Sequence, residues 1–349
     1  MPPPTPRSRT LGALLALHAG DALGATLEFL PWDTIRTHHP HHTSITGGGP
    51  FGFPAGHATD DTDLTRAVLL AYHRPPSPST PLALAHLAAQ HFTAWYTGAW
   101  PDRVPGERPA DVGGATDKGI RNFQRTGDAT TSGAGEGAAG NGSLMRCLAT
   151  GLFQGEWGRM VVESDLISAV THDDPHCTMA CAGYNGIVRG LVMEGMGTGE
   201  AIELGIKAVG DARGLATHAG RGTGEAKLEL VAKRVVEAIV AGRDLVTVRE
   251  LAEEGPREAR NGRRVLPFKG AGYVLESLTI AVAALVDERG LEDVLVDVVR
   301  IGKDTDTNAA IAGGLLGARD GVEGIPMRWR EKLQFAAEFE EIVDEMLSK

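Results

Sequence analysis

Two short runs of aspartate and threonine stand near opposite ends of the sequence, and each opens an apolar helical segment. The first is Thr59-Asp60-Asp61-Thr62-Asp63, inside GHATDDTDLTRA (56–67); the second is Asp304-Thr305-Asp306-Thr307, inside IGKDTDTNAAIAGGLLGA (301–318). Like charges side by side repel, so a fold rarely crowds them without a counter-charge. An aspartate or threonine at a helix start has a plain use, since it caps unpaired amides and suits the positive end of the dipole. That explanation covers either run alone. Together, Asp60, Asp61, Asp304 and Asp306 exceed what two caps need, and four carboxylates match the charge of two divalent cations. With the hydroxyls of Thr59 and Thr307 they form an oxygen-only set that suits magnesium or manganese; zinc would prefer His or Cys.

Helical periodicity dominates wherever a period can be read. In DLTRAVLLAYH (63–73), Leu64, Ala67, Val68 and Ala71 fall at i, i+3, i+4 and i+7. Helices are predicted over 81–96, 143–152, 162–170, 176–194, 199–209, 225–241, 245–254, 272–287, 290–300, 306–318 and 328–347. Alternating patterns are almost absent; RRVLPF (263–268) is the best strand candidate, and Pro267 weakens it. The expected fold class is all-α. DARGLATHAGRGTG (211–224) could separate two helical halves, but one domain over 1–349 is the simpler reading.

Composition narrows the function classes. Hydrophobic residues make up 42% of the 349, and 45 acidic against 34 basic residues leave a net charge of −11. That balance opposes non-specific binding to nucleic acid. Cys147, Cys177 and Cys181 make no disulfide framework and fit a reducing compartment. No apolar run approaches the roughly 20 residues that span a bilayer. Arg7 and Arg9 before LGALLAL imitate a signal peptide, but His18 and Asp21 interrupt its continuation. A cytoplasmic monomer with no membrane partner is the expectation.

Phe29 to Ala58 is the exception to the helical pattern. It contains HHPHH and GGGPFGFPAG and shows no periodic element, and so long a loop inside a compact domain is usually functional or disordered. It is expected to act as a lid, with Gly47, Gly48, Gly49, Gly52 and Gly56 as hinges and Phe51 and Phe53 as its apolar contact.

Further motifs accompany the two acidic runs in order: GDALGATLEF (20–29), DVGGATDKG (111–119), GNGSLMR (140–146) and THDDP (171–175). On these residues the chain resembles the ADP-ribosylhydrolase (ADP-ribosylglycohydrolase) family, of the dinitrogenase-reductase-activating glycohydrolase type, over about residues 11–321. The resemblance implies an all-α fold, a compact orthogonal helical bundle with a binuclear metal cleft that holds two Mg²⁺ or Mn²⁺ ions at its base. It also implies cleavage of the glycosidic bond between C1 of the distal ribose of ADP-ribose and an acceptor, most simply a modified protein side chain. Thr59, Asp60, Asp61, Asp304, Asp306 and Thr307 become the expected metal ligands. Glu28 is the candidate to position or activate the attacking water, with Asp61 as its rival. Gly113, Gly114, Thr116, Asn141, Gly142, Ser143 and His172 become the expected ADP-ribose contacts. One departure is Lys303, a cation where the family often carries a small or acidic residue.

The chemistry of the residues agrees with that assignment. Paired cations polarise hydroxyls and bound water, and carboxylates stabilise the oxocarbenium-like state of cleavage at an anomeric carbon. GAGEGAAGNGSLMR (133–146) passes from a Gly-rich loop into an apolar segment, where unpaired backbone amides suit a pyrophosphate. No Walker A lysine follows, which excludes a P-loop NTPase. Arginine-, serine-, nucleic-acid- and phosphate-linked ADP-ribose all stay open as substrates; nucleic acid enters only as a modified substrate. The competing readings are a hydrolase of a free ADP-ribose derivative or other nucleotide sugar or phosphoester, and a catalytically silent ADP-ribose binder. The intact acid set argues against the last. HHPHH and the His176, Cys177, Cys181 group are weaker metal candidates, for want of helical spacing and of a second Cys pair.

Overall fold

The computed structural model describes residues 3–75, 77, 79–218, 224–255 and 272–348; among them it forms helices and no strand. The first group of helices is α1 (Pro6–Gly24), α2 (Trp32–His38), α3 (Asp60–His73), α4 (Pro81–Tyr96), α5 (Gly114–Thr126) and α6 (Leu148–Phe153). Next come α7 (Trp157–Ala169), α8 (Pro175–Val192), α9 (Thr198–His218), α10 (Glu225–Asp244) and α11 (Val248–Glu254). The last are α12 (Val274–Val286), α13 (Leu291–Arg300), α14 (Thr305–Asp320), α15 (Met327–Arg330) and α16 (Ala336–Leu347). None among the described residues is long and apolar enough to cross a membrane.

Helix starts follow local chemistry. Thr5, Thr80 and Asp174 each accept a backbone amide at the N-cap of α1, α4 and α8, and each is followed by a proline whose fixed φ suits the first turn. The LGALLAL run lies wholly inside α1 and is buried.

Helix α1 packs along α14 with almost no side chain between them. A Cβ added at Gly12, Gly20 or Gly24 would fall 2.7, 2.1 and 2.4 Å from the carbonyl oxygens of Gly317, Ala309 and Thr305. One at Gly313 would fall 2.2 Å from the Ala16 carbonyl. Positions 12, 16, 20 and 24 therefore meet 317, 313, 309 and 305, an antiparallel seam of small residues every fourth position. Gly24 carries the seam to the start of α14, where the Thr305 hydroxyl donates to its carbonyl at 2.8 Å.

Several expectations are corrected. The helix predicted over 143–152 begins only at Leu148, because Asn141 is tied to Gly272 and Asp304 and the chain turns through 142–147. The segment 328–347 is two helices, interrupted where the Gln334 amide donates to the Gly56 carbonyl and Leu333 and Phe335 enter the core. Helix α9 runs on to His218, through much of the 211–224 stretch, whose remainder lies outside the described residues, as does RRVLPF.

The stretch 29–58 is pinned rather than hinged. It contains α2, and Ile35 and Ile45 are buried. Phe29 and Leu30 exchange backbone hydrogen bonds with Lys303, and the His42 ring bonds the Leu23 carbonyl at 2.8 Å. Trp329 and Lys332 donate to the carbonyls of Thr43 and Ile45, and the Gln334 amide to that of Gly56. A wholesale lid would have to break all of these.

Candidate functional site

The α1–α14 seam ends at the acids. Glu28 follows α1 by one turn, and Asp304 and Thr305-Asp306-Thr307 open α14 beside it. Asp304 occupies the N-cap position of α14 but makes no capping bond; its Oδ2 instead accepts from Asn141 Nδ2 at 2.6 Å. Capping does not explain that aspartate. In the first run, by contrast, Thr59 does cap α3, accepting the Asp61 amide at 3.2 Å.

Asp21 positions the first run from α1. Its Oδ2 accepts the amides of Thr59 and Thr62, at 3.1 and 3.2 Å, and the Thr62 hydroxyl. A carboxylate of one helix thus fixes the start of another, which holds Asp61 beside Asp306 and Asp60 beside Asp111 and Glu28. Asp63 points elsewhere, between the indole N–H groups of Trp95 and Trp100 at 2.8 and 2.7 Å.

These acids are buried together without a bonded cation. Asp61 and Asp306 are 0% and 1% exposed, and Glu28 is 6% exposed. Burial, and then the neighbouring carboxylates, push Asp60, Asp61 and Asp306 well above the usual carboxylate range. Burial together with Asp111, Asp304 and Asp21 raises Glu28 to about 8, and burial raises Asp21 to about 7. Asp304 is also raised by burial, with Asn141 and Thr307 opposing. Glu28 Oε2, Asp61 Oδ1 and Asp306 Oδ1 are buried with no hydrogen-bond partner. The Asp61 Oδ2 atom accepts from the Thr59 and Thr307 hydroxyls at 3.1 and 3.3 Å. All six residues expected as ligands therefore lie in one cluster.

The tightest grouping of ligand oxygens includes a residue that the sequence reading passes over. Atoms of Glu28, Asp111 and Asp306 lie within 4.8 Å of one another. Asp111 is half-buried, and burial lifts it to about 6. Reading DVGGATDKG for its glycines misses it, although an acid just before a Gly-rich helix start repeats the pattern of the two main runs.

The expected ADP-ribose contacts converge only in part. A Cβ on Gly142 would lie 2.8 Å from His172 Cε1 and 3.1 Å from Thr116 Oγ1, so these three residues meet without room for a methyl. Thr116 Oγ1 is itself buried and unbonded. Burial and the neighbouring Arg146 lower His172 to about 3, so its ring is neutral, and Thr171 Oγ1 holds Nδ1 at 2.8 Å. Asn141 bridges Asp304 and Ser277, joining this pocket to the acid cluster. Gly113 and Gly114 form the exposed N-terminus of α5. Ser143 turns inward instead, bonded by Ser168 and Cys181, and lies behind the pocket.

Behind the pocket, the fully buried Arg146 donates to the Gly142 carbonyl and to Thr171 Oγ1, and its guanidinium lies 4.5 Å from the centre of the Phe92 ring. It braces the two residues that flank His172 and Ser143. At the cleft mouth, Phe29 is 57% exposed, and its ring begins a chain through Phe51 and Phe53 to His57. Lys303 is exposed, so its charge faces solvent rather than the acids. Among the described residues, neither HHPHH nor the His176, Cys177, Cys181 group brings three ligand atoms together.

A family model described as ADP-ribosylglycohydrolase matches residues 2–349. The ADP-ribosyl-[dinitrogen reductase] glycohydrolase of Rhodospirillum rubrum is 29% identical over 340 residues, covering 97% of this chain and 94% of the relative. The ADP-ribosylarginine hydrolase Tri1 of Pseudomonas putida (strain GB-1) is 27% identical over 346 residues, covering 98% and 78%. A solved structure described as an ADP-ribosylglycohydrolase-related protein complex superposes with a TM-score of 0.67 at 25% identity, covering 98% of each chain. With its fold, its paired acidic runs and a family match over nearly its whole length, the chain belongs to the ADP-ribosylglycohydrolase family.

Proposed function

We propose that the protein hydrolyses the N-glycosidic bond joining C1 of the distal ribose of ADP-ribose to the guanidinium of a modified arginine on a protein. The observation that carries this reading is the buried acid cluster, with its unbonded oxygens, joined through Asn141 to the Gly142–His172–Thr116 pocket. The relatives named for dinitrogen reductase and for arginine linkages support the choice of acceptor. The three buried free thiols support a cytoplasmic setting, and the chain acts as a single-domain monomer.

The donor set fits hard divalent cations, since every atom offered is oxygen and three of the buried ones lack partners. Thr59, Asp60, Asp61, Asp304, Asp306 and Thr307 would hold a pair of Mg²⁺ or Mn²⁺, with Glu28 and Asp111 beside them. Bound there, the cations supply the positive charge that offsets the carboxylates and orients the ribose hydroxyls. Glu28 is the base, because its Oε2 is buried without a partner and lies beside Asp111 and Asp306, where an attacking water can be held. Asp61, held by two threonine hydroxyls, is better suited to a fixed ligand. The C1–N bond breaks, the hydroxyl of a water bonds to C1, and the proton taken by Glu28 ends on the departing guanidine nitrogen. Neighbouring carboxylates stabilise the oxocarbenium-like state between these events.

The test is release of free ADP-ribose from conjugates linked through arginine, serine and phosphate, in Mg²⁺ or Mn²⁺ and after chelation. Metal-dependent release from the arginine conjugate is expected. Release from none, or only from another linkage, would overturn the assignment.

A further inference from the structure

On the outer side of the acid cluster lies a cavity of about 190 Å³, lined by residues 53–63 and by the loop 102–111. Pockets for whole small-molecule ligands run to roughly 300–1,000 Å³, so this one has room for a single side chain and none for a nucleotide. Asp60 and Asp111 of the acid cluster are among its lining residues. Residues 107–111 line the cavity, and Thr116, five residues after Asp111, meets Gly142 and His172. The cavity thus borders the acid cluster at Asp60 and Asp111, and the Gly142–His172 pocket borders it through Asn141 and Asp304.

Its walls differ in chemistry. On one side the rings of Phe53 and His57 stack, 5.4 Å apart and 7° from parallel. Asp102 and Glu107 line it as well. Asp102 is one of three non-glycine residues with positive φ among those described, at 58°, a conformation that aspartate tolerates better than most. Gln334 braces it, donating to Asp102 Oδ2 at 2.9 Å while its own carbonyl accepts the Ala58 amide at 3.0 Å. The acidic wall is thereby tied to the residue that precedes the first metal run.

Two arginines also line the cavity, and both are engaged. Arg103 donates to the Glu107 carbonyl at 2.6 Å, and Arg108 lies over the Tyr96 ring and 3.5 Å from Asp117. Of the five carboxylates in the lining, Asp60 and Asp111 belong to the acid cluster and Asp63 is held by the two indoles. Asp102 and Glu107 are the acids in it that neither the metal centre nor the tryptophan pair uses. A planar cation gains from an aromatic face and from paired carboxylate acceptors, and this cavity offers both.

We infer that this cavity is the acceptor subsite, in which the arginine guanidinium of the modified protein lies against the Phe53–His57 pair and is held by Asp102 and Glu107. The inference rests on the arginine reading above and goes beyond it in naming the residues that select the acceptor. In Mg²⁺, with a small ADP-ribosyl-arginine conjugate as substrate, three quantities are measured: KM, kcat, and the inhibition constants of free ADP-ribose and free arginine. The Asp102→Asn, Glu107→Gln double variant removes both charges, and asparagine keeps the preference for positive φ at 102. It should raise KM about tenfold and weaken inhibition by free arginine similarly, with inhibition by free ADP-ribose unchanged. Phe53→Leu should show the same split to a smaller degree. Unchanged KM and arginine inhibition would overturn the subsite, as would an equal loss of ADP-ribose inhibition. A wild-type protein that leaves the arginine conjugate intact would instead overturn the arginine reading, a result visible before any variant is made.

Discussion

The cleft has a floor and an outer wall built on opposite principles. The floor hangs on the α1–α14 seam, where backbone touches backbone and a single methyl has no room. It carries Glu28 at one helix end and Asp304 to Thr307 at the other. The outer wall, residues 102–111, is irregular chain whose side chains are mostly exposed, Val104 by 67%. Bond cleavage needs carboxylates fixed to within about half an ångström, which rigid elements supply. Acceptor recognition needs only a complementary face, and loops vary without cost to the core. The difference teaches that reaction and acceptor choice are separable here, and four changes probe that separation.

The largest effect falls at the floor. Asp306→Asn keeps the shape of a side chain that is 1% exposed but removes a charge. Turnover should fall by about a thousandfold or more. The chelated variant should nevertheless melt no lower than the wild type, because one buried, mutually repelling carboxylate has gone. A chelated melting temperature several degrees lower would show that Asp306 serves the fold rather than the metals.

Next is the seam itself. Gly20→Ala places a Cβ about 2.1 Å from the Ala309 carbonyl oxygen, so the backbones must move apart. Overpacking of this kind costs about 1–3 kcal/mol, measurable by urea unfolding, and activity should fall with it because Glu28 follows the end of one displaced helix and Asp306 lies in the first turn of the other. A variant with wild-type stability and turnover would mean that the floor is not rigid, and the contrast with the wall would collapse.

How much of this was legible in the sequence follows from the same contrast. Both acidic runs could be read because each combines charge, hydroxyl and an apolar helix behind it. The full seam was also there, small residues every fourth position at 12, 16, 20, 24 and at 305, 309, 313, 317, but its partner is set by tertiary contact alone. Asp111 was hidden because no period surrounds it. The stretch 29–58 looked like a lid because Ile35 and Ile45 are single buried anchors, too few to make a pattern, and its restraints come from distant residues such as Trp329, Lys332 and Lys303. Asp102 and Glu107 carry no motif; only the cavity brings them to the acids.

Acid titration of the floor gives the third test. Glu28 and Asp21 stand at about 8 and 7 in the folded protein, above the ordinary carboxylate values of 4.5 and 3.8. The folded state therefore binds protons that the unfolded chain releases, and its stability falls as pH rises. For the chelated protein, the melting temperature should drop between about pH 4 and pH 8. Saturating Mg²⁺ or Mn²⁺ should reverse the drop at pH 8, by about 2.7 kcal/mol when free metal exceeds Kd a hundredfold. A chelated protein whose stability rises over that window would show that the carboxylates are compensated in some other way.

The smallest effect is expected at the wall, and its smallness is the point. Glu107 is exposed, and its side chain accepts one long bond, from the Val104 amide at 3.3 Å. Exposed pairs and surface substitutions of this kind change stability by about 0.5 kcal/mol or less. Glu107→Gln keeps an oxygen that can accept the same amide, so its urea midpoint should match that of the wild type in both chelated and metal-loaded protein. The variant would then alter the acceptor KM with the fold untouched, whereas every change at the floor alters both. A loss above about 1.5 kcal/mol would place Glu107 in the same structural unit as the acids. In that case the acceptor wall could not vary without disturbing the reaction floor, and one surface would have to answer for both chemistry and choice.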